Sequence, residues 1–506
     1  MNAAPSSEYD EFEKNYQNNI AQILWQRVVA DLDTPVGAYL KLAAGRKNSF
    51  LLESVQGGST KGRFSMIGLE PDIMLKVKRS RVEISRNAPH SEADFTELDT
   101  KPLDALRSLV AESQAQVPAG LPSTAAGVYG YLGYDMVRHM EVLPDENPDD
   151  MGLADSILMR PSLLAVFDTL KDELYLTAPV YVKDNISAKQ AWEMAQNKID
   201  DASVRLSKNV ERGEQIATLN DIEVTSNTSK DEYFAMVKRA KEYITAGDVF
   251  QVVLSQRFEA KFSLPPTALY RALRRTNPSP YMYFLDFDGF SIAGSSPEIL
   301  VRVDKDREIT IRPIAGTRKR GDTPAKDKIM ADELMSDPKE LAEHLMLLDL
   351  GRNDVGRVAK IGSIKVTDKF FLEYYSHVMH IVSNVIGVLD DKYDFVDALS
   401  AGFPAGTVSG APKVRAMEII DELEKSRRGV YGGCVGYFGA DGTMDTCIVL
   451  RTAILKNEKL YVQAGAGIVA DSKPELEQLE CENKARALFS AANEAIRYAN
   501  ESEFGQ

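Results

Sequence analysis

Cysteine is scarce in this chain: Cys434, Cys447 and Cys481 are the only three among 506 residues, and they are widely spaced. An odd, dispersed set of thiols offers neither a disulfide framework nor a CxxC zinc knuckle. Histidine is just as sparse, with five in all, so a His- or Cys-based metal centre is not expected. No run approaches the roughly 18 apolar residues that a membrane span needs. Excess positive charge is missing too, since 60 Lys and Arg face 75 Asp and Glu for a formal charge of -15. A phosphate surface would repel most of such a molecule, which argues against nucleic-acid or anionic-membrane binding but permits a local basic pocket for a small anion. The first twenty residues have neither a basic leader nor an apolar core, so no signal peptide is expected and a cytoplasmic protein is.

What is present is ordinary globular composition, 44% hydrophobic and 27% charged, in a chain long enough for roughly two to four folding units. The clearest shift in composition is the polar stretch at about 205–230. A boundary near residue 220 would divide a polar N-terminal tail (1–20) and an N-terminal region (21–220) from a catalytic region (221–500). Upstream, SFLLESV, DIMLKV, SLLAVFDT and ELYLTAPVYV read as strands, followed by the helical AKQAWEMAQNKIDDASVRL. Downstream, Ser229 and Glu232 form a capping-box pattern at the head of a helix that stops at Gly247. Strands and helices then mix without regular alternation, which favours an α+β architecture.

Two helices carry pairs of carboxylates at i, i+3. Asp337 and Pro338 open the first as N-cap and N1, and Glu340 and Glu343 share a face, with Leu341, Leu345 and Leu348 opposite. Glu340 as part of a capping box and Glu343 facing water is the alternative that pattern alone leaves open. In the second, a Ser472–Glu475 capping box sets a register in which Leu476, Glu480, Asn483 and Ala487 form one stripe. Glu480 therefore interrupts a face expected to be partly buried, where a carboxylate must be paired or ligate a metal. Carboxylate ligands imply a hard ion, Mg²⁺ first; an Arg or Lys partner is the competing reading. Nearby, the Gly316-Thr317 turn, Arg451 after an apolar run, and Gly465-Ala466-Gly467 could receive a carboxylated small molecule. Two other patterns mislead. Gly465–Ala470 fits a dinucleotide fingerprint without its βαβ context, and Cys434 lies in a strand-like run where a buried structural thiol is expected.

PIAGTR (313–318), ELAEHLMLLDLGRNDVGRV (340–358), SHVMHIVSNV (376–385), PAGTVSGAPKVRAMEII (404–420), YGGCVGYFG (431–439) and QAGAGIV (463–469) together resemble the chorismate-utilising enzyme family. LLESV (51–55) and GVYGYLGYD (127–135) extend the likeness upstream. The resemblance implies two facing β-sheets flanked by helices, and conversion of chorismate and ammonia to anthranilate and pyruvate in tryptophan synthesis. It implies that Glu343 and Glu480 ligate Mg²⁺, with Glu340 and Glu477 near them. It also implies that Gly316, Thr317, Tyr431, Arg451, Gly465, Ala466 and Gly467 bind chorismate, and that His380 and Thr407 assist proton transfer or orientation. Ser54, Pro280, Tyr281 and Met282 match the family's tryptophan-binding elements, so feedback inhibition is expected. Ammonia would come from a separate glutamine amidotransferase subunit, making a hetero-oligomer. Ala315 stands where aminodeoxychorismate-forming members often carry a nucleophilic Lys. Gln251 stands where water-adding members carry a Lys base, and an amide cannot deprotonate water. The first departure favours anthranilate formation over aminodeoxychorismate formation and the second favours it over isochorismate formation; aminodeoxychorismate synthesis is the alternative within the class. A non-catalytic chorismate or tryptophan sensor is the alternative from another class.

Overall fold

In a computed structural model of the chain, residues 6–54, 63–86, 94–210, 220–375 and 378–501 are described. Val55, Ser376 and His377 of the quoted motifs, and residues 211–219 beside the expected boundary, lie outside them.

The expected α+β sandwich forms, and it is organised by one long ribbon. Strand Phe64–Lys78 pairs antiparallel with Ser156–Asp168 along nearly its whole length. Between the Pro71–Pro161 and Ile73–Arg160 pairs the register shifts, leaving Asp72 as the extra residue of a β-bulge. The Asp72 carboxylate turns to the Arg160 guanidinium, with contacts of 2.8 and 2.7 Å, and Arg160 also stacks on the Tyr181 ring at 3.8 Å. Beyond the bulge the two halves of the ribbon enter different sheets.

Toward one end the ribbon carries Ser49–Ser54 on one side and Glu173–Val180 with Gln22–Val29 on the other. From Ser49–Ser54 the sheet continues through Tyr281–Phe287, Phe290–Ser296, Thr452–Lys456, Lys459–Ile468 and Gln251–Lys261. Toward the other end the ribbon carries Arg81–Ser85 and, on its far side, Gly127–Leu132. This second sheet runs on through Cys434–Gly439, Met444–Ile448, Ile299–Val303, Glu308–Ile311 and Val378–Val388. Val378–Val388 also pairs with Ile314–Lys319 and Lys365–Tyr374. The boundary near residue 220 thus separates two stretches of chain and not two sheets, because both sheets take strands from each side of it.

The sheets face each other across an apolar interior that mixes residues of both, including Phe50, Tyr283 and Leu285 from the first and Tyr129, Tyr131 and Val435 from the second. Helices cover the outer faces. Ser6–Gln17, Ala188–Leu206, Lys230–Ala246, Pro266–Thr276 and Pro474–Asn500 share one core with the first sheet, and Pro102–Glu112, Pro338–Gly356 and Phe395–Gly402 share another with the second, while Lys413–Leu423 puts Ala416, Ile419 and Ile420 into the first core and Met417 into the second. Residues 6–17, expected within a polar tail, are helical because Phe12 and Tyr16 find a buried seat, Phe12 against Trp192 at 5.1 Å.

The helix starts show where local chemistry decides. Ser229 and Glu232 form the expected reciprocal capping box, and Asp337 caps Pro338–Gly356 through the Lys339 and Glu340 N–H groups. The C-terminal helix differs: it begins at Pro474 with Lys473 as N-cap, and the Ser472 hydroxyl accepts from the Val469 N–H instead. Its buried stripe is Gln478, Cys481, Ala485, Leu488 and Ala492, whereas Leu476 is 58% exposed and Glu480 lies on the open face. The stripe expected to be buried is therefore the one that faces largely outward. In Pro338–Gly356 the buried face is likewise His344, Leu347, Leu348, Gly351 and Val355, and Leu345 is exposed.

Removing one partner of an ion pair in the bend leaves a buried charge uncompensated. Asp72→Ala should cost about 3–5 kcal/mol, read as a lower denaturant midpoint. Both halves of the chain should unfold in one transition; independent unfolding of the two would contradict the shared ribbon.

Candidate active site

The chain crosses from the first sheet to the second between Ser296 and Ile299, and back again between Ile448 and Thr452. The two crossings lie side by side, with the Ile448 N–H donating to the Glu298 carbonyl at 3.0 Å and the Ser295 N–H to the Arg451 carbonyl at 3.1 Å. Each crossing puts one ionisable side chain between the sheets. Glu298 follows Pro297 and is 6% exposed. Arg451 sits in a left-handed conformation, φ 45°, where the run CIVLRTAIL breaks into two strands.

Burial dominates Glu298 and pushes its carboxyl up to about 8, against hydrogen bonds from Thr407 and the Ile314 N–H and the cations Lys484 and Arg451. The Thr407 hydroxyl reaches both carboxyl oxygens at 3.2 Å. At neutral pH Glu298 is therefore mainly a neutral acid, a proton donor rather than a counter-ion. Burial also disfavours the Arg451 charge and lowers its pKa, and among the described residues no carboxylate forms an ion pair with it. A guanidinium without an ionic partner is chemically suited to a carboxylate from outside.

His380 stands on the neighbouring strand, paired with Thr317. Between Ala315 and Thr317 the register shifts, with Gly316 at φ 68°, a bulge that only a residue free of a Cβ adopts cheaply. The bulge aims the Gly316 carbonyl at His380 Nδ1 (3.1 Å), and the Thr317 hydroxyl meets the same nitrogen at 3.0 Å. Burial, assisted by the Arg451 cation, pushes His380 down to about 4, so its imidazole is neutral. Ala315 presents only a buried methyl group.

Gly465, Ala466 and Gly467 pair with Ser255, Leu254 and Val253. A Cβ on Gly465 would lie 3.0 Å from the Tyr431 hydroxyl, and one on Gly467 only 2.5 Å from Gln251 Nε2. Both glycines thus admit a polar side chain close to the strand. Burial pushes the Tyr431 phenol up to about 12, keeping it a donor. The turn that carries Thr407 is fixed by Arg428, which donates to the carbonyls of Val408 and Val253 and pairs with Glu424.

The carboxylates face one another at the mouth. Gln251 Nε2 donates to Glu343 at 3.3 Å. The Glu343 carboxyl is raised by burial, then by the like charges of Glu340 and Glu480, and Glu477 is raised by burial and also by Glu480. Two members are paired within the protein, Glu340 with Arg318 at 3.1 Å and Glu480 with Lys484 at 2.7 Å. No group of three or more His, Cys, Asp or Glu side chains is drawn together as a metal cage among the described residues. The like charges of Glu340 and Glu480, which add to burial in raising Glu343, are what a hard divalent cation would relieve, and carboxylate oxygens are the donors such an ion takes.

Sequence reasoning missed two members of this constellation. Glu298 was a lone acid at a proline between two apolar runs, a signal that marks a strand break with a carboxylate in it. Lys484 lies one turn beyond Glu480 on the same helix and donates to the Gly465 carbonyl at 2.9 Å. The expected tryptophan residues sit apart. Ser54 pairs directly with Tyr281, and Ser54, Pro280, Tyr281 and Met282 line one cavity of about 540 Å³ between the sheets. All three cysteines are buried, and burial pushes Cys434 up to about 12.

An acid, an unpaired guanidinium and a neutral imidazole gathered where two sheets exchange strands define a site for an anionic small molecule. The chain belongs to the chorismate-binding enzyme family, whose model matches residues 49–490. It is 54% identical over 498 residues to anthranilate synthase component 1 of Cereibacter sphaeroides, covering 98% of this chain and 99% of the relative. The protein of that name from Aquifex aeolicus is 45% identical, covering 98% of each chain. The crystal structure of anthranilate synthase component I from Streptococcus pneumoniae superposes with a TM-score of 0.75 at 36% identity, covering 92% of this chain and 99% of that one. The menaquinone-specific isochorismate synthase MenF of Escherichia coli shares the fold, with a TM-score of 0.67 at 19% identity over 96% of this chain and 99% of that one.

The raised Glu298 carboxyl has a consequence for stability. Below its ordinary value of 4.5 both folded and unfolded chains hold the proton. Between there and about 8 the unfolded chain releases a proton that the folded chain keeps, so this group's contribution falls as pH rises and levels off above. Glu298→Gln, neutral at every pH, should gain stability over wild type from pH 5 to pH 9 in denaturant titrations. A difference that is flat with pH would show that Glu298 titrates normally.

Proposed function

We propose that this chain converts chorismate and ammonia to anthranilate and pyruvate, drawing ammonia from a separate glutamine amidotransferase subunit, under feedback inhibition by tryptophan. The observation that carries the choice of reaction is near-full-length identity, 54% and 45%, to relatives named anthranilate synthase component 1. The geometry supplies reasons why these residues suit it. Chorismate is a dicarboxylate, and the reaction places ammonia at C2, loses the C4 hydroxyl as water and releases the C3 side chain as pyruvate. Arg451 and Tyr431 would hold one carboxylate, the missing Cβ of Gly465 letting the Tyr431 hydroxyl lie close to the strand. A bound Mg²⁺ would be held by Glu343 and Glu480 and would anchor the ring carboxylate as a Lewis acid. Glu298, protonated at neutral pH, would donate to the departing hydroxyl with Thr407 orienting it. His380, neutral, would take up or relay the C2 proton lost on aromatisation. Ala315 and Gln251 supply neither a nucleophile nor a base, so the nucleophile must be external and already neutral. No cysteine is exposed enough to hydrolyse glutamine, which is the reason for a second subunit.

The tryptophan reading rests on the second cavity, whose Leu52, Pro280, Met282 and Val435 suit an indole while Ser54 and neighbouring charged groups suit its zwitterionic end.

Purified chain with chorismate, Mg²⁺ and an ammonium salt should form fluorescent anthranilate, and chelation with EDTA should abolish it reversibly. Glu298→Gln should lower kcat by about 10²–10⁴; isochorismate or aminodeoxychorismate as the sole product would overturn the assignment. Ser54→Arg, which fills the second cavity with a charged chain, should abolish inhibition by tryptophan while turnover without tryptophan persists. Equal sensitivity in the two proteins would exclude this cavity as the regulatory site.

A further inference from the structure

The two sites share a wall. Ile314, Glu373 and Tyr375 all line the 540 Å³ cavity. On the other side, the Tyr375 ring stands edge-on to His380, with centroids 5.4 Å apart and planes at 67°. The Tyr375 hydroxyl donates to Glu373 at 2.9 Å, and Glu373 is also the ion-pair partner of Arg312, another residue of the cavity. The backbone on this wall hangs from one strand: Ile314 pairs with Val382, Tyr374 with Met379, and the Tyr375 N–H donates to the Val378 carbonyl at 2.8 Å. Tyr375 is thus fixed by its backbone, while its ring is steered by a single hydroxyl contact to a carboxylate that faces the cavity.

We propose that Glu373 and Tyr375 form the link by which occupancy of the cavity sets the position of His380, Tyr375 being a positioning residue for the reaction. The proposal rests on the reading of that cavity as the tryptophan site. An amino acid brings an ammonium group that competes with Arg312 and the Tyr375 hydroxyl for Glu373, and a carboxylate that competes with Glu373 for Arg312. The first exchange frees the Tyr375 ring from the orientation that seats it on His380, and the second removes the hold of Arg312 on Glu373, so that its carboxylate can turn to the ammonium. Inhibition then follows because the ligand prefers the arrangement in which His380 is displaced, and a ligand indifferent to the two arrangements would shift nothing.

The chain has five histidines, which makes the link directly observable by NMR with ring-labelled histidine. The His380 resonance is identified as the one missing from His380→Asn. In wild type, tryptophan should bind by calorimetry and move that resonance. In Tyr375→Phe, which keeps the ring and removes the hydroxyl, tryptophan should still bind with little change in Kd. The His380 shift should be lost there, and inhibition should weaken by about tenfold or more. A purely structural role for Tyr375 would alter turnover but leave inhibition and binding in step. The link is overturned if tryptophan binds wild type without moving the His380 resonance, or if Tyr375→Phe is inhibited as strongly as wild type. Failure of tryptophan to bind wild type at all would overturn the regulatory reading beneath it, so the two failures are told apart by the calorimetry.

Discussion

Everything in the site depends on a carboxylic acid held where water does not reach it. Glu298 lies at the point where the chain leaves one sheet for the other, and burial raises its pKa to about 8. If it were ionised it would be the natural counter-ion of Arg451, whose charge would then be spent within the protein as that of Lys484 is on Glu480. Because it is neutral, Arg451 keeps its charge for a ligand and the acid keeps a proton to give. On the proposed function one environment would set both the binding and the acid chemistry, the pattern by which enzymes run proton transfer at neutral pH.

That environment is a product of topology. The bulged ribbon around Asp72 and Arg160 lets two sheets grow from one pair of strands and then face each other. Strands that switch sheets cannot continue a ladder through the switch, so residues 297–298 and 449–451 present side chains between the sheets rather than across a strand. The same interior holds the second cavity, and the wall between cavity and site is one strand thick at Ile314 and Tyr375. Two ligands in one sandwich are coupled most directly through groups that touch both spaces.

Much of this was legible in the residues. SLLAVFDT and ELYLTAPVYV read as strands because their apolar runs end at turn residues, and Ser229–Glu232 marks a helix start because the cap is chemically complete within four residues. Long motifs pointed to His380, Thr407, Arg451 and the Gly465–Gly467 strand. The C-terminal helix departs from its expected register because Ser472 satisfies the Val469 N–H, a partner outside the helix, and because the apolar period of Leu476 and Ala487 does not distinguish their face from the one that packs on the core. Glu298 was not singled out, since its importance comes from Thr407, Ile314 and Arg451, which are distant in sequence and meet only after the sheets close.

The protonation state of Glu298 can be read directly by infrared difference spectroscopy between wild type and Glu298→Gln. The account predicts a protonated-carboxyl C=O band at pH 7 that is present only in wild type and disappears as the pH is raised past about 8. Absence of that band at pH 7, with only carboxylate absorption lost on substitution, would contradict it.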